Sequence, residues 1–453
     1  MKKLVGLLAA LALLPSAQAG ELAHSAEYRL RYQVDQDKDG VSGGKGSTND
    51  WKQRFKLGST FRSGEKLTGQ LTLLHNSTWG HSGLGYTTPT PFTPPTGGVT
   101  GDSELAKMDG VVNGENLVLV NEAYGSWMAS NELLIRFGRG ALAMADGRVI
   151  GVNDWGPTPN AFEGVLFTWD KEFARFNAYG VKFAQLLASS VSGPSVSDPE
   201  INSYGLNVDW KTLPEFLKMV NLHVIQVNVD AGMAATGSTT QTVPKESRMR
   251  YGLVVSGDAM NVDYRLTYAA HTGKFSDLTV AGTTTDREGS MIDAELGYRL
   301  PDWMNSRISF LYHTDTGDKS TDNKVTTYDS YFYDRHDNAG WMDIYLWGNL
   351  SYMQLRYTMD IMDDLSFAAQ YLIFSQTEKT GSNSSGVNAF TGAVETAGTE
   401  DALGTELDLA VAKKYEGGLT ITARAGMFSP GAEYASTTSD AYTQLFLEGK
   451  MAF

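Results

Sequence analysis

The sequence predicts an all-β fold on three observations: two-faced alternation in segment after segment, an export signal ahead of them, and no later apolar run of helix-spanning length. Trp51 to Arg62 shows the alternation best. Its period of two sets Lys52, Arg54, Lys56 and Arg62 on one strand face and Trp51, Phe55, Leu57 and Phe61 on the other. The chain opens with Lys2 and Lys3, an apolar run from Leu4 to Leu14, and Ala17, Gln18 and Ala19 at cleavage spacing, so residues 1–19 read as a cleaved secretory signal. That run falls short of the ~20 residues a spanning helix needs. Any membrane insertion must then use strands. Residues 20–453 are expected to form a transmembrane antiparallel β-barrel of about 18 strands, with short periplasmic turns and long extracellular loops.

A soluble exported β protein would share the signal and the composition. With no cysteine in the chain, disulfide staples are unavailable, and stability must come from a closed sheet or a large core. The net charge of −15 disfavours nucleic-acid partners, and loss of Lys2 and Lys3 makes the mature chain more acidic. The acids concentrate in segments read as loops, Asp35 to Asp39 and Asp315 to Asp337. The strands are richer in arginine.

The first strand, Ala26 to Val34, alternates Tyr28, Leu30 and Tyr32 with Arg29 and Arg31. Trp51 to Arg62 follows, and Ser63-Gly64-Glu65-Lys66 turns it into Leu67 to Trp79. After a long connection, Gly80 to Gly114, come Glu115 to Met128 and Glu132 to Gly140, joined by Ala129-Ser130-Asn131. Ala161 to Trp169 and Phe173 to Phe183 meet at Asp170-Lys171-Glu172. Ile201 to Trp210 and Lys218 to Val229 flank Lys211 to Leu217, the turn expected to hold a helical piece. Ser247 to Ser256 carries Met249, Tyr251, Leu253 and Val255 on one face, and Met260 to Ala270 carries Val262, Tyr264, Leu266 and Tyr268. Gly289 to Leu300 and Ser306 to His313 precede the second long connection, Thr314 to Gly348. Such lengths exceed the usual limit of about 15 residues, which a barrel tolerates outside or folded in as constrictions. Asn349 to Asp360, Leu365 to Ser375, Ala402 to Lys413, Leu419 to Met427 and Ala441 to Phe453 complete the set. The last sets Leu445, Leu447, Met451 and Phe453 outward and Gln444, Glu448 and Lys450 inward, and its terminal Phe resembles the strand recognised by the barrel-assembly machinery.

In a barrel the apolar face meets lipid and lipopolysaccharide, so the charged face lines the interior. A basic residue on the lipid face near the midplane would cost roughly 2–4 kcal/mol, which sends Arg29, Arg31, Lys52, Arg54, Lys56, Arg62, Arg136, Arg175, Arg248, Arg250, Arg265, Arg299, Arg307, Arg356 and Arg424 inward. Structural ion-pair ladders would explain them. An anion-attracting pore would explain them equally, and the cluster on the first two strands, with Glu27 as its nearby acid, favours the pore. Glu122 and Arg136 are expected to pair across neighbouring strands.

Asp35, Asp37 and Asp39 match the first half of a calcium loop, but Gly46 stands where the bidentate Glu belongs. A solvated acidic loop accounts for them, with no metal or other cofactor. His75 and His81 lie near Ser77 and Ser82 without an acid at triad spacing, so no enzyme activity is expected.

Ile135 to Trp169 carries Gly138, Arg139, Arg148, Gly151, Trp155, Phe162 and Gly164 in an order that resembles the central signature of the alginate-export family of outer-membrane barrels. Gly140 stands where that family usually has Gln, Asn160 where it has Arg, and Glu163 where it has Asp. The stretch around Glu122 and those around Glu406 and Pro430 also look like family segments. The resemblance implies an eighteen-stranded barrel in the outer membrane of a Gram-negative bacterium whose arginine-lined channel passes anionic solutes. Arg29, Arg31, Lys52, Arg54, Lys56, Arg136 and Arg148 are the expected basic lining. A general or amino-acid-type diffusion porin is the alternative within transport. A structural or adhesive surface barrel is the alternative from another class.

Overall fold

The computed structural model describes residues 20–41, 47–79, 118–185, 200–236, 239–276, 283–318, 324–330, 332–379, 400–434 and 438–453. The expected signal, the Gly80 to Gly114 connection, and His81 with Ser82 lie outside the described residues. The wall strands are β1 (Gly20–Gln36), β2 (Thr48–Ser63), β3 (Leu67–Thr78), β4 (Val118–Met128), β5 (Leu133–Gly140) and β6 (Phe162–Asp170). They continue as β7 (Ala174–Gln185), β8 (Glu200–Trp210), β9 (Leu217–Val229), β10 (Glu246–Ala259), β11 (Val262–Ser276) and β12 (Thr284–Leu300). The remaining strands are β13 (Ser306–Asp315), β14 (Leu350–Met362), β15 (Leu365–Gln376), β16 (Ala402–Lys414), β17 (Leu419–Pro430) and β18 (Tyr442–Ala452).

Every wall strand pairs antiparallel with its neighbour, and β18 closes on β1 with Glu448 opposite Arg31. Of the 19 strands in this sheet, Lys324–Val325 only adds to β12 in parallel, which leaves 19 − 1 = 18 in the wall. Closure removes both sheet edges. Burial is inverted relative to a water-soluble sandwich. Tyr251, Ile292, Leu355 and Leu409 are exposed on the outside, while their inward neighbours Arg250, Asp293, Gln354 and Asp408 are buried. That inversion is what a lipid-facing wall requires.

Two expectations fail here. Lys211 to Leu217 holds no helix: Pro214 supplies no N–H to a helical turn, and Leu217 N–H closes a tight turn onto the Pro214 carbonyl at 2.9 Å. The acidic connection before β14 is not an outer loop either. Its described residues 326–330 and 332–349 fold into the barrel, and so do residues 141–161 between β5 and β6, the two shortest wall strands. Their side chains explain the choice. Val149, Ile150 and Phe332 pack in one buried cluster with Ile225 and Val254 of the wall, and Ile344, Tyr345 and Trp347 in another with Tyr352 and Phe374. Left outside, that apolar and aromatic surface would face water at about 25 cal/mol per Å².

Candidate constriction and its basic lining

The first inward segment, residues 141–161, leaves β5 under close control. The Ala141 N–H donates to Glu122 at 3.2 Å and its carbonyl accepts from Arg136 at 2.6 Å. The expected Glu122–Arg136 ion pair does not form, because the register sets Arg136 opposite Ser126 rather than Glu122. Both side chains hold the main chain of Ala141 instead. Farther on, buried Arg148 donates to Asp293 on β12 at 3.0 Å and to Asp146 at 3.1 Å.

The tip of the segment, Asp154-Trp155-Gly156, rests on the basic cluster of β1 and β2. Arg29 donates to the Asp154 and Gly156 carbonyls at 2.9 and 2.8 Å. Arg54 pairs with Glu27 at 2.6 Å and with the Asp154 carboxylate at 3.0 Å, and Lys56 reaches the same carboxylate at 3.2 Å. Arg31 pairs with Glu448 at 2.7 Å while its guanidinium lies 3.5 Å over Trp155. Glu27 is thus not the cluster's main counter-charge. Five cations, Arg29, Arg31, Arg54, Lys56 and Lys450, share three carboxylates, Glu27, Asp154 and Glu448. Burial raises the Asp154 carboxyl, but Arg54 and Lys56 outweigh it and hold the group below its ordinary range.

The second inward segment, described over residues 326–330 and 332–349, carries a short helix, α1 (Arg335–Asn338). It hangs from the opposite wall by its own acids and main chain. Asp329 pairs with Arg248 of β10 and Arg287 of β12. The N–H groups of Trp341 and Met342 donate to Asp408 and Glu406 of β16 at 3.2 and 3.1 Å, and those of Gly348 and Leu350 to Asp315, both at 2.8 Å. Acids expected outside are therefore lumenal.

The two segments meet across the lumen. Gly151 N–H donates to the Phe332 carbonyl at 2.5 Å, and Asp334 N–H to the Gly147 carbonyl at 2.7 Å. Trp155 stacks on His336 with ring centroids 3.6 Å apart. A Cβ on Gly151 would sit 2.7 Å from the Asp334 nitrogen, so the approach requires glycine. At this junction burial and then Asp337, Asp154 and Asp343 push the Asp334 carboxyl up to about 6.

Of the expected lining, the fold brings Arg29, Arg31, Arg54 and Lys56 together at the tip. It leaves Lys52 exposed near the outer end, donating to Gln33 at 3.0 Å, and sets Arg136 and Arg148 at the root and far side of the segment. Asp154 as the tip's counter-ion had no signal in sequence. Arg356 and Arg424 had one, alternation, but no reason to be preferred. Here Arg356 donates to Gln370 at 2.9 Å, Arg424 contacts His336 at 2.5 Å, and both lie over Trp341. Among the described residues neither has a carboxylate at ion-pairing distance. Asp35, of the possible calcium loop, is turned into the β1–β18 seam, where it accepts from Tyr442 and Gln444 at 2.6 and 3.0 Å. No described cluster of three or more acids and histidines is placed to hold a metal.

A closed eighteen-strand barrel with two inward segments narrowing its lumen is the architecture of an outer-membrane channel. Solved structures with this fold include Pseudomonas aeruginosa OccK9 (OpdG), at TM-score 0.59 and 12% identity over 96% of this chain and 99% of that one. OccK8 (OprE) of the same organism matches at TM-score 0.56 and 14% identity, covering 96% and 98%, and Acinetobacter baumannii OccAB1 at 0.57 and 11%, covering 95% and 96%. No curated protein matches the sequence. The alginate export family model matches residues 119–448, and the chain belongs to that family.

Proposed function

We propose that this chain is a passive, anion-preferring channel for an acidic oligosaccharide or polysaccharide. The carrying observation is the pair Arg356 and Arg424, two guanidiniums beside the constriction without ion-paired carboxylates among the described residues. In a narrow passage such groups attract anions directly. The uneven sharing of carboxylates on β1, β2 and β18 supports the same sign. The roles of Arg29, Arg31 and Arg54 then become double, since each holds the first inward segment and adds to the field. Residues 1–19 fit a cleaved export signal, which suits a barrel assembled from the periplasm.

Reversal potential in planar bilayers under a salt gradient tests this. The wild type should prefer chloride, and R356Q with R424Q should weaken that preference. A cation-selective wild type, unmoved by those substitutions, overturns the reading. One observation favours a second reading, the amino-acid-type porin. Asp337 and Asp343 on the second segment lie near Arg424 of the wall, and a field between opposite charges suits zwitterions. Weak selectivity with faster flux of glycine than of glucuronate would favour it.

A further inference from the structure

The wall of the barrel dips over β5. Its register with β4 stops at Ala123 opposite Arg139, and its register with β6 stops at Gly140 opposite Phe162, where the chain turns into the lumen. β4 reaches farther, to Val118. A cavity of about 700 Å³ lies in the dip, lined by Val120 and Ala123 of β4, Arg139 of β5, Glu163 of β6 and Thr158 of the first inward segment. That volume falls within the roughly 300–1,000 Å³ of small-ligand pockets. Arg139 and Glu163 stand opposite each other, two residues on from Phe137 and Val165, which are exposed on the outer face. Alternation therefore puts both charges on the lipid side. Exposed Trp169, opposite Leu133, belongs to the aromatic girdle at the short turns, and Arg139 lies six residues beyond Leu133 along β5. At about 3.3 Å per residue and a strand tilt of about 35–45°, that is roughly 15 Å up an apolar band about 25 Å tall.

Such a depth makes the unused capacity of these two ions informative. Arg139 gives its Nε–H to the Asn121 carbonyl at 3.2 Å, and its Nη1 stands 3.8 Å from Glu163, beyond hydrogen-bond reach. Lys182, opposite Glu163 on β7, pairs with Glu200 at 2.7 Å instead. A lone anion would be repelled by Glu163 and a lone cation by Arg139, so the complementary ligand carries both signs. A primary ammonium also brings three N–H donors to Glu163, which a quaternary one lacks. The convex wall of a second barrel would not enter this concavity, whereas a lipid headgroup would. We propose that the dip over β5 is a headgroup site for a phosphoethanolamine lipid, its phosphate on Arg139, its ammonium on Glu163 and its acyl chains along Phe137 and Val165. The site does not depend on which solute the channel passes.

Native mass spectrometry of the full barrel in nonionic detergent tests it, with phosphatidylethanolamine, phosphatidylcholine and phosphatidylglycerol of the same acyl chains added in turn. One phosphatidylethanolamine should be retained at a concentration at least about tenfold below that needed for either of the others. R139Q and E163Q should each weaken its retention about tenfold, the measure of a lost hydrogen bond to a charge. A123F narrows the cavity without touching either ion, and should weaken it as well. All three side chains face lipid, so the variants should keep the shifted mobility of the unboiled barrel on a detergent gel. Equal retention of the three lipids, stronger retention of phosphatidylglycerol, or a preference that survives either charge substitution overturns the proposal. So does a lipid-free dimer that R139Q and E163Q abolish, which would assign this face to a second copy of the chain.

Discussion

At the scale of the residue, arginine in this chain is an assembly device as much as a lining. Arg54 reaches Glu27, the Asp154 carboxylate and the carbonyls of Asp154 and Gly156. No linear cation could serve all of these at once, because the planar guanidinium offers five donors in a fixed fork. Arg148 gives the sharper test. It is buried against Asp293, whose side chain is 0% exposed. Removing one partner of a buried pair leaves an uncompensated charge and typically costs about 3–5 kcal/mol. R148Q should therefore lower the temperature at which the folded band disappears on detergent gels, and D293N in the same chain should recover part of the loss. Equal stability of R148Q and wild type would show that His313, 3.4 Å from Asp293, suffices as its partner.

At the scale of the element, the two inward segments meet at Gly147, Gly151 and Trp155 on one side and Phe332, Asp334 and His336 on the other. The Asp334 carboxyl is raised from an ordinary 3.8 to about 6 by burial among other acids, so the docked arrangement binds the proton more tightly than the separated one. The sign follows: docking is strongest below about pH 3.8, weakens as pH rises from there, and has lost this contribution once pH passes about 6. A displacement of about two units bounds the effect at roughly a hundredfold in the docking equilibrium. Single-channel recordings from about pH 4 to 7 should show open time increasing with pH and levelling off above about 6, and D334N should flatten the profile. G151A, which forces a Cβ against Asp334, should favour the separated state at every pH. A wild type whose open time falls as pH rises would refute this account.

At the scale of the molecule, closure dominates. The final strand pairs with the first over Glu27–Gln36, and Phe453 exchanges main-chain hydrogen bonds with Ala26 at 2.8 and 3.2 Å. A sheet without edges unfolds as a unit. An unboiled sample should migrate apart from a boiled one on a detergent gel. Identical mobility, with solubility in detergent-free buffer, would contradict a lipid-facing wall.

Alternation is local, and so the wall was legible. Trp51 to Arg62 already separates a lipid face from a lumenal one, because adjacent residues of a strand point oppositely whatever lies across the sheet. Each of the 18 wall strands overlaps its expected span for that reason, and the largest differences, six residues, are extensions of β1 and β11 beyond their expected limits. The basic cluster was legible too, as composition on a face, but not its use. Arg29 holds a carbonyl 125 residues away, and Arg248 an acid 81 residues away. Nothing in residues 316–349 says which side of the wall they occupy, since an acidic and aromatic connection can be solvated outside or paired with arginines inside. The sequence by itself determined the strands, their two faces and the basic cluster on the first two strands. The tertiary structure alone decided that two connections turn inward and that most of the leading arginines hold them there, because that outcome depends on partners met only once the barrel has closed.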